Sequence, residues 1–291
     1  MRYKLLDVLV LVPLNDEGKI VLKQAVILQK ILSCRIFVLH VIPQAPFFTN
    51  HFNSPKIKKL KDEALQKLKD FTGGFFNGKI PEYIILKVIM GHLVHTLIEQ
   101  SMGEDFLFII LKNSKHRDET LNLLDQNDID KIIGHSFCPI LSVRDETTPE
   151  EINNILIPID ISESTNKKLL WASSFAKKTK ATIHIISALN INIDEEKSLA
   201  LKNAERIKTM LQERGINSDL EILKVHDQAR HEAVLSYISI KKPDFVIIRK
   251  HHIVSYFKTT IGDFAKEIIH GSTVPVFTVS QTQKDIESIL P

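Results

Sequence analysis

Val10-Leu11-Val12-Pro13-Leu14-Asn15 near the start of the chain returns past the middle as Leu156-Ile157-Pro158-Ile159-Asp160. A continuous apolar run closing on a small polar residue reads as a strand buried on both faces that ends in a turn. Three further pairs keep step with this one. Ser33-Cys34-Arg35-Ile36-Phe37-Val38 matches residues 179–184, Asp105-Phe106-Leu107-Phe108-Ile109-Ile110 matches Asp244-Phe245-Val246-Ile247-Ile248, and Pro139-Ile140-Leu141-Ser142-Val143 matches residues 275–279. One unit is therefore present twice. The repeat of about 140 residues is too long for a solenoid and fits one folding domain per copy.

Within each copy, strands and helices alternate. The first strands span Asp7 to Leu14 and Asn154 to Asp160. Helices follow at Lys19 to Leu32 and Ser164 to Thr179, the latter with Ser162, Ser164 and Thr165 as candidate caps. Second strands cover Arg35 to Val41 and Ala181 to Ala188. The next helix opens at Ser54-Pro55, where proline suits the first turn, and is expected to stop at Gly73-Gly74; its counterpart runs from Asp194 to Arg214 and stops at Gly215. Third strands share Leu-Lys-Val at Leu86-Lys87-Val88 and Leu223-Lys224-Val225. Strict alternation implies crossover connections and a mostly parallel sheet covered on both faces, an α/β sandwich in each half. The domains are placed at residues 1–145 and 152–281, with the charged, proline-bearing stretch Asp145 to Glu151 in the linker between them.

Composition excludes several classes. Hydrophobic residues make up 44%, charged residues 25%, and net charge is +3 over 291 residues. Lysines of Lys56-Ile57-Lys58-Lys59-Leu60-Lys61 sit on a helical pattern beside Asp62, Glu63 and Asp70, the pattern of a solvated helix face rather than of a nucleic-acid surface. No stretch approaches the roughly eighteen apolar residues of a membrane span, and Asp7 interrupts the apolar run after Arg2 and Lys4 that imitates an export signal. Cys34 and Cys138 are isolated beside strand patterns, as small buried thiols in a reducing compartment are.

The order of these pieces resembles the universal stress protein family, twice over. Carrying the resemblance are Ile155 to Asp160, the Ala176-Lys177-Lys178 helix leading into Thr182 to Ile186, Pro243 to Ile248, and the ending Val274-Pro275-Val276-Phe277-Thr278-Val279. It implies two tandem Rossmann-like domains, each a mostly parallel five-stranded sheet of the adenine nucleotide alpha hydrolase-like kind, packed through their last strands as an intramolecular pseudo-dimer, with further homodimerisation open. It also implies a cytoplasmic, stress-linked protein.

Many family members hold ATP with Gly-x2-Gly-x9-Gly followed by Ser or Thr, glycines admitting the phosphates to the backbone. Laid on the second copy, this motif puts its last glycine at Gly262. Its other positions fall on Arg249, His252 and Asp263, which depart from it. A carboxylate about 4 Å from a phosphate repels it by up to roughly 4 kcal/mol at an effective dielectric of about 20, so Asp263 reads better as a helix cap, while Arg249 supplies a compensating cation. Asp160 reads equally as an adenosine contact or as the cap of the next turn. In the first copy Asn15 takes the place of Asp160, and no glycine occurs from Leu111 to Asp128. Gly91 stands after the third strand where the second copy has His226.

The histidines at 92 and 95, at 226 and 231, and at 251 and 252 read as surface or capping residues, not a zinc set, since no cysteine joins them. No nucleophile with a positioned base is recognisable. The expectation is a non-enzymatic binding or scaffold module that partners other proteins or a small nucleotide-like ligand and needs no cofactor, catalytic residue or metal. The alternative is an adenine-nucleotide sensor using Asp160, Arg249, His252, Gly262 and Asp263, and the second alternative a slow ATP hydrolase.

Overall fold

The computed structural model describes residues 6–44, 55–103, 106–144, 150–159, 166–190, 199–225, 229–250, 252–255 and 258–280; residues 166, 189–190, 199–200, 252–255 and 258–260 are described by backbone only. The chain divides into two compact units, residues 1–143 and 144–291.

In the first unit the order is β1 (Asp7–Leu11), α1 (Asp16–Leu32), β2 (Arg35–Ile42), α2 (Pro55–Phe75), β3 (Ile84–Met90), α3 (Leu93–Met102), β4 (Phe106–Lys112), α4 (Gln126–His135) and β5 (Ile140–Val143). All pairings are parallel, in the order β3-β2-β1-β4-β5. Continuous apolar strands such as Val8 to Leu11 are buried on both faces, as a helix-covered parallel sheet requires. Asn15 starts α1 by accepting from the Glu17 and Gly18 amides at 3.0 and 3.4 Å, while Asp16 and Glu17 complement the positive end of the helix.

The second unit repeats this with β6 (Asn154–Pro158), α5 (Asn166–Thr179), β7 (Thr182–Asn190), α6 (Leu199–Glu213), β8 (Ser218–Val225), α7 (Arg230–Lys241), β9 (Phe245–Arg249), β10 (His252–Ser255), β11 (Lys258–Ile261), α8 (Asp263–Gly271) and β12 (Val276–Val279). Its parallel sheet runs β12-β9-β6-β7-β8. An aromatic cluster fills one face, with the Trp171 ring 4.7 Å from Phe277 and Phe175 5.2 Å from Phe245.

Three expectations change. First, α2 does not stop at Gly73-Gly74: neither glycine has a neighbour that would obstruct the helix. The chain leaves it at Asn77 and Gly78, whose φ values are 53° and 92°, with the Gly78 amide closing on the Gly73 carbonyl at 2.8 Å. Second, hairpin β10–β11, antiparallel from His252↔Ile261 to Ser255↔Lys258, adds an element to the simple alternation. Third, the two copies align differently once the sheet register is known. The Val12 amide donates to Leu39 and the Ile159 amide to Ile186, while Arg35 and Thr182 occupy the same place at the start of the second strand. Val12 is therefore the counterpart of Ile159, and Asn15, three residues on, is not the counterpart of Asp160. A bulge at Phe106–Phe108 likewise makes Phe108, not Phe106, the partner of Phe245. Ser54, Ser162, Ser164, Thr165 and most of the expected linker lie outside the described residues.

Candidate functional site

In each unit the chain leaves the first strand toward one side of the sheet and later returns on the other. The crevice beyond the carboxyl ends of β1 and β4, or of β6 and β9, is where ligands settle in open α/β sheets. Three features form its walls: the end of the second strand, the start of the first helix, and the span that joins the fourth strand of the sheet to its following helix.

Alternate residues of a parallel strand turn their peptide groups to opposite neighbours. On β7, Thr182 and Ile186 bond toward β6, so the N–H and C=O of Ala188 point the same way, past the end of β6. Among the described residues nothing bonds to that edge. Val41 occupies the same place on β2, two residues beyond Leu39, but there the edge is filled. The Val41 amide donates to Asn122 Oδ1 at 2.6 Å, and Asn122 Nδ2 donates to the Val41 carbonyl at 2.8 Å. Asn122 is 1% exposed.

The joining spans, 113–125 and 250–262, are equal in length, and matching bonds to Val143 and Val279 pair Asn113 with Lys250. Lys112 thus corresponds to Arg249. In the first unit Lys112 lies 3.7 Å from Glu17, whose carboxylate also accepts from the Ser114 hydroxyl. Asp125 caps α4 through the Asp128 amide at 2.9 Å, and burial raises the pKa of Asp128 against the lowering effect of Arg117, 3.2 Å away. Carboxylates thus gather along this span and the start of α1.

The second unit is different in sign. Lys168 is buried on α5, and its Nζ donates to the Pro158 carbonyl at 2.8 Å; Lys250, just past β9, is buried as well. Counting back from Ser33 and Lys180, the paired left-handed residues that end α1 and α5, Lys168 takes the place of Val21.

Of the expected site residues, Arg249 ends β9 beside Val279 of β12. Gly262 and Asp263 meet at the amino end of α8 on the same side of the sheet. Gly262 is the N-cap, with no side chain to bond and a φ of −63° that any residue adopts. Asp263 is therefore in the first turn and is not the cap, a correction that leaves it favourable to the helix dipole. His252 opens β10 opposite Ile261, and its side chain, like Asp160, His226 and His251, lies outside the described residues. Elsewhere His95 pairs with Glu99 at 3.0 Å, and among the described residues no three potential ligands gather around a metal position. Burial pushes the Cys34 thiol up to about 11, which keeps it unreactive near neutrality.

Lys168, Ala188 and Asn122 were not expected. Lys168 had a signal, since it continues the buried stripe of Trp171, Ala172, Phe175 and Ala176 at helical spacing. Asn122 interrupts the apolar run Leu121 to Leu124. Nothing in local pattern marks Ala188.

Residues 151–280 match the model of the Universal stress protein family. This half is a universal stress protein domain. The fold of a universal stress protein from Archaeoglobus fulgidus is similar to it at 18% identity and a TM-score of 0.72, covering 97% of this chain and 100% of that one. A functionally unknown protein of Pseudomonas aeruginosa is similar at 18% and 0.63, over 96% and 93% of the two chains. The cytoplasmic domain of a prokaryotic cation chloride cotransporter shares the fold at 13% and 0.53, over 98% and 100%. At these identities the likeness is one of fold. No curated protein matches the sequence. Among the described residues, no helix is long and apolar enough to cross a membrane.

Proposed function

We propose that this universal stress protein is a non-enzymatic, cytoplasmic binding module of the stress response that does not hold ATP in the glycine-loop manner. One observation carries the reading: the span that would cradle phosphates in the second half is a paired hairpin, His252–Ser255 with Lys258–Ile261, leading into a helix capped by Gly262 and begun by Asp263. Backbone amides already paired across a hairpin are not available to phosphate oxygens, and the Asp263 carboxylate opposes an anion at the helix start. Native mass spectrometry of the freshly purified full chain, followed by calorimetric titration with ATP and magnesium, tests this. Neither carried nucleotide nor saturable heat is expected; stoichiometric ATP, or turnover above the blank, would overturn it.

A second reading, an adenine-nucleotide sensor using the second half alone, draws on the buried Lys168 and Lys250, the Arg249 cation and the Ala188 edge, unfilled among the described residues. It expects ATP to stabilise the fold by about 2.7 kcal/mol at a hundredfold its dissociation constant. An unchanged melting curve in millimolar ATP would exclude it.

A further inference from the structure

The first-half crevice contains a feature that neither reading uses. Asn122 lies 81 positions from Val41, yet its carboxamide meets both polar groups of that one residue. A primary amide carries a donor and an acceptor side by side, and the peptide edge of a strand residue offers the complement. The pair is buried and made at 2.6 and 2.8 Å.

The span around Asn122 presents it. Asp118 Oδ1 accepts from the amides of Thr120 and Leu121 and from the Thr120 hydroxyl, folding a tight turn. The Leu123 amide closes on the Asp118 carbonyl at 2.8 Å, and Leu124 is fully buried. Asn122 itself adopts φ 59°, a left-handed conformation that asparagine tolerates better than most residues. In the second unit the equally long span pairs with itself as β10 and β11, and Thr259, the counterpart of Asn122, is matched with Val254 instead.

The geometry points to Asn122 as a built-in ligand: its carboxamide occupies the recognition edge of Val41, so the first half is a latent site for a planar donor–acceptor edge, an amide or an amino-substituted base, closed by its own chain. It follows that the first half takes no such ligand at this edge while Asn122 is in place. A second half that binds nothing leaves this inference intact, since the test below reads the first half alone.

The test uses the full chain and two variants. Asn122→Gly keeps the left-handed backbone without strain and removes the carboxamide. Its melting midpoint is expected to fall below that of wild type, and added acetamide or adenine is expected to recover part of the loss while giving wild type no comparable gain. Recovery by acetamide alone identifies a small amide site; recovery by adenine identifies room for a base. A folded Asn122→Gly chain that responds to both probes as wild type does overturns the proposal.

Asn122→Asp keeps the shape but sets a carboxylate oxygen against the Val41 carbonyl. Compared with wild type at each pH, it is expected to be less stable near neutrality and to approach wild type in acid, where the protonated carboxyl again donates. A difference that does not narrow in acid overturns the proposal, and this arm stands if Asn122→Gly fails to fold.

Discussion

The same substitution, glycine to alanine, is expected to act in opposite directions at two helical positions of this protein. In α2, Gly73 has open space where a Cβ would go. Alanine there gains up to about 1 kcal/mol in helix propensity, because it restricts the unfolded chain at no steric cost. In α1, the Cβ of Gly18→Ala would sit 1.9 Å from the Pro13 carbonyl oxygen and 2.9 Å from Val12 Cγ1. The first obstacle is backbone, so the helix start must retreat from the strand end by about 1 Å, loosening the Asn15 cap and the packing of Val21 and Leu22 behind it. Overpacking of a core typically costs about 1–3 kcal/mol, and loss of a cap about 1 kcal/mol more. Against a propensity gain of about 1 kcal/mol, the net loss is about 2 kcal/mol. At roughly 2–4 °C per kcal/mol for domains somewhat larger than these units, thermal unfolding followed by circular dichroism should place Gly18→Ala at least about 4 °C below wild type and Gly73→Ala up to about 4 °C above it. A Gly18→Ala midpoint at or above that of wild type would refute the claim that close approach, rather than propensity, sets the residue at the start of α1.

Gln24 is fully buried, and neither atom of its carboxamide has a partner among the described residues. Since an unsatisfied buried polar group costs about 1–3 kcal/mol, Gln24→Leu should raise the denaturant midpoint, and a lower midpoint would count against an orphaned amide. His40 is also buried in the first unit, 3.5 Å from the Val12 carbonyl. Burial pushes its pKa below the usual 6.5, the backbone contact opposes this, and Lys67 adds to it. A depressed histidine leaves stability intact above pH 6.5 and removes it as pH falls through the lowered value. Stability measured across this range should decline less steeply toward acid in His40→Gln than in wild type; parallel curves would assign the acid loss to other groups.

The strands were legible because burial on both faces demands unbroken apolar runs, and Val8 to Leu11 and Ile155 to Ile157 have no other reading. The end of α2 was not legible from Gly73-Gly74, because a helix stops where the backbone turns left-handed, and here that happens at Asn77 and Gly78. Aligning Pro13 with Pro158 pairs Asn15 with Asp160; hydrogen-bond register, a property of neighbouring strands rather than of one strand, moves the match. The hairpin did have a local signal, the β-branched residues Ile253, Val254, Thr259, Thr260 and Ile261, which reading that span as a phosphate loop concealed. Of the expected site, Gly262 and Asp263 lie at the amino end of α8, whereas the buried lysine and the two strand edges came from tertiary placement. Asn122 and Val41 lie far apart in the chain, and no short-range pattern records their meeting.

The matched lengths of spans 113–125 and 250–262 bear on how such a protein changes over time. The strands and helices anchoring each span leave the same number of residues between them, which fold inward in one case and onto themselves in the other. The two states thus differ in sequence and not in length. A duplicated domain of this kind can retire one pocket while leaving its twin and the surrounding scaffold undisturbed.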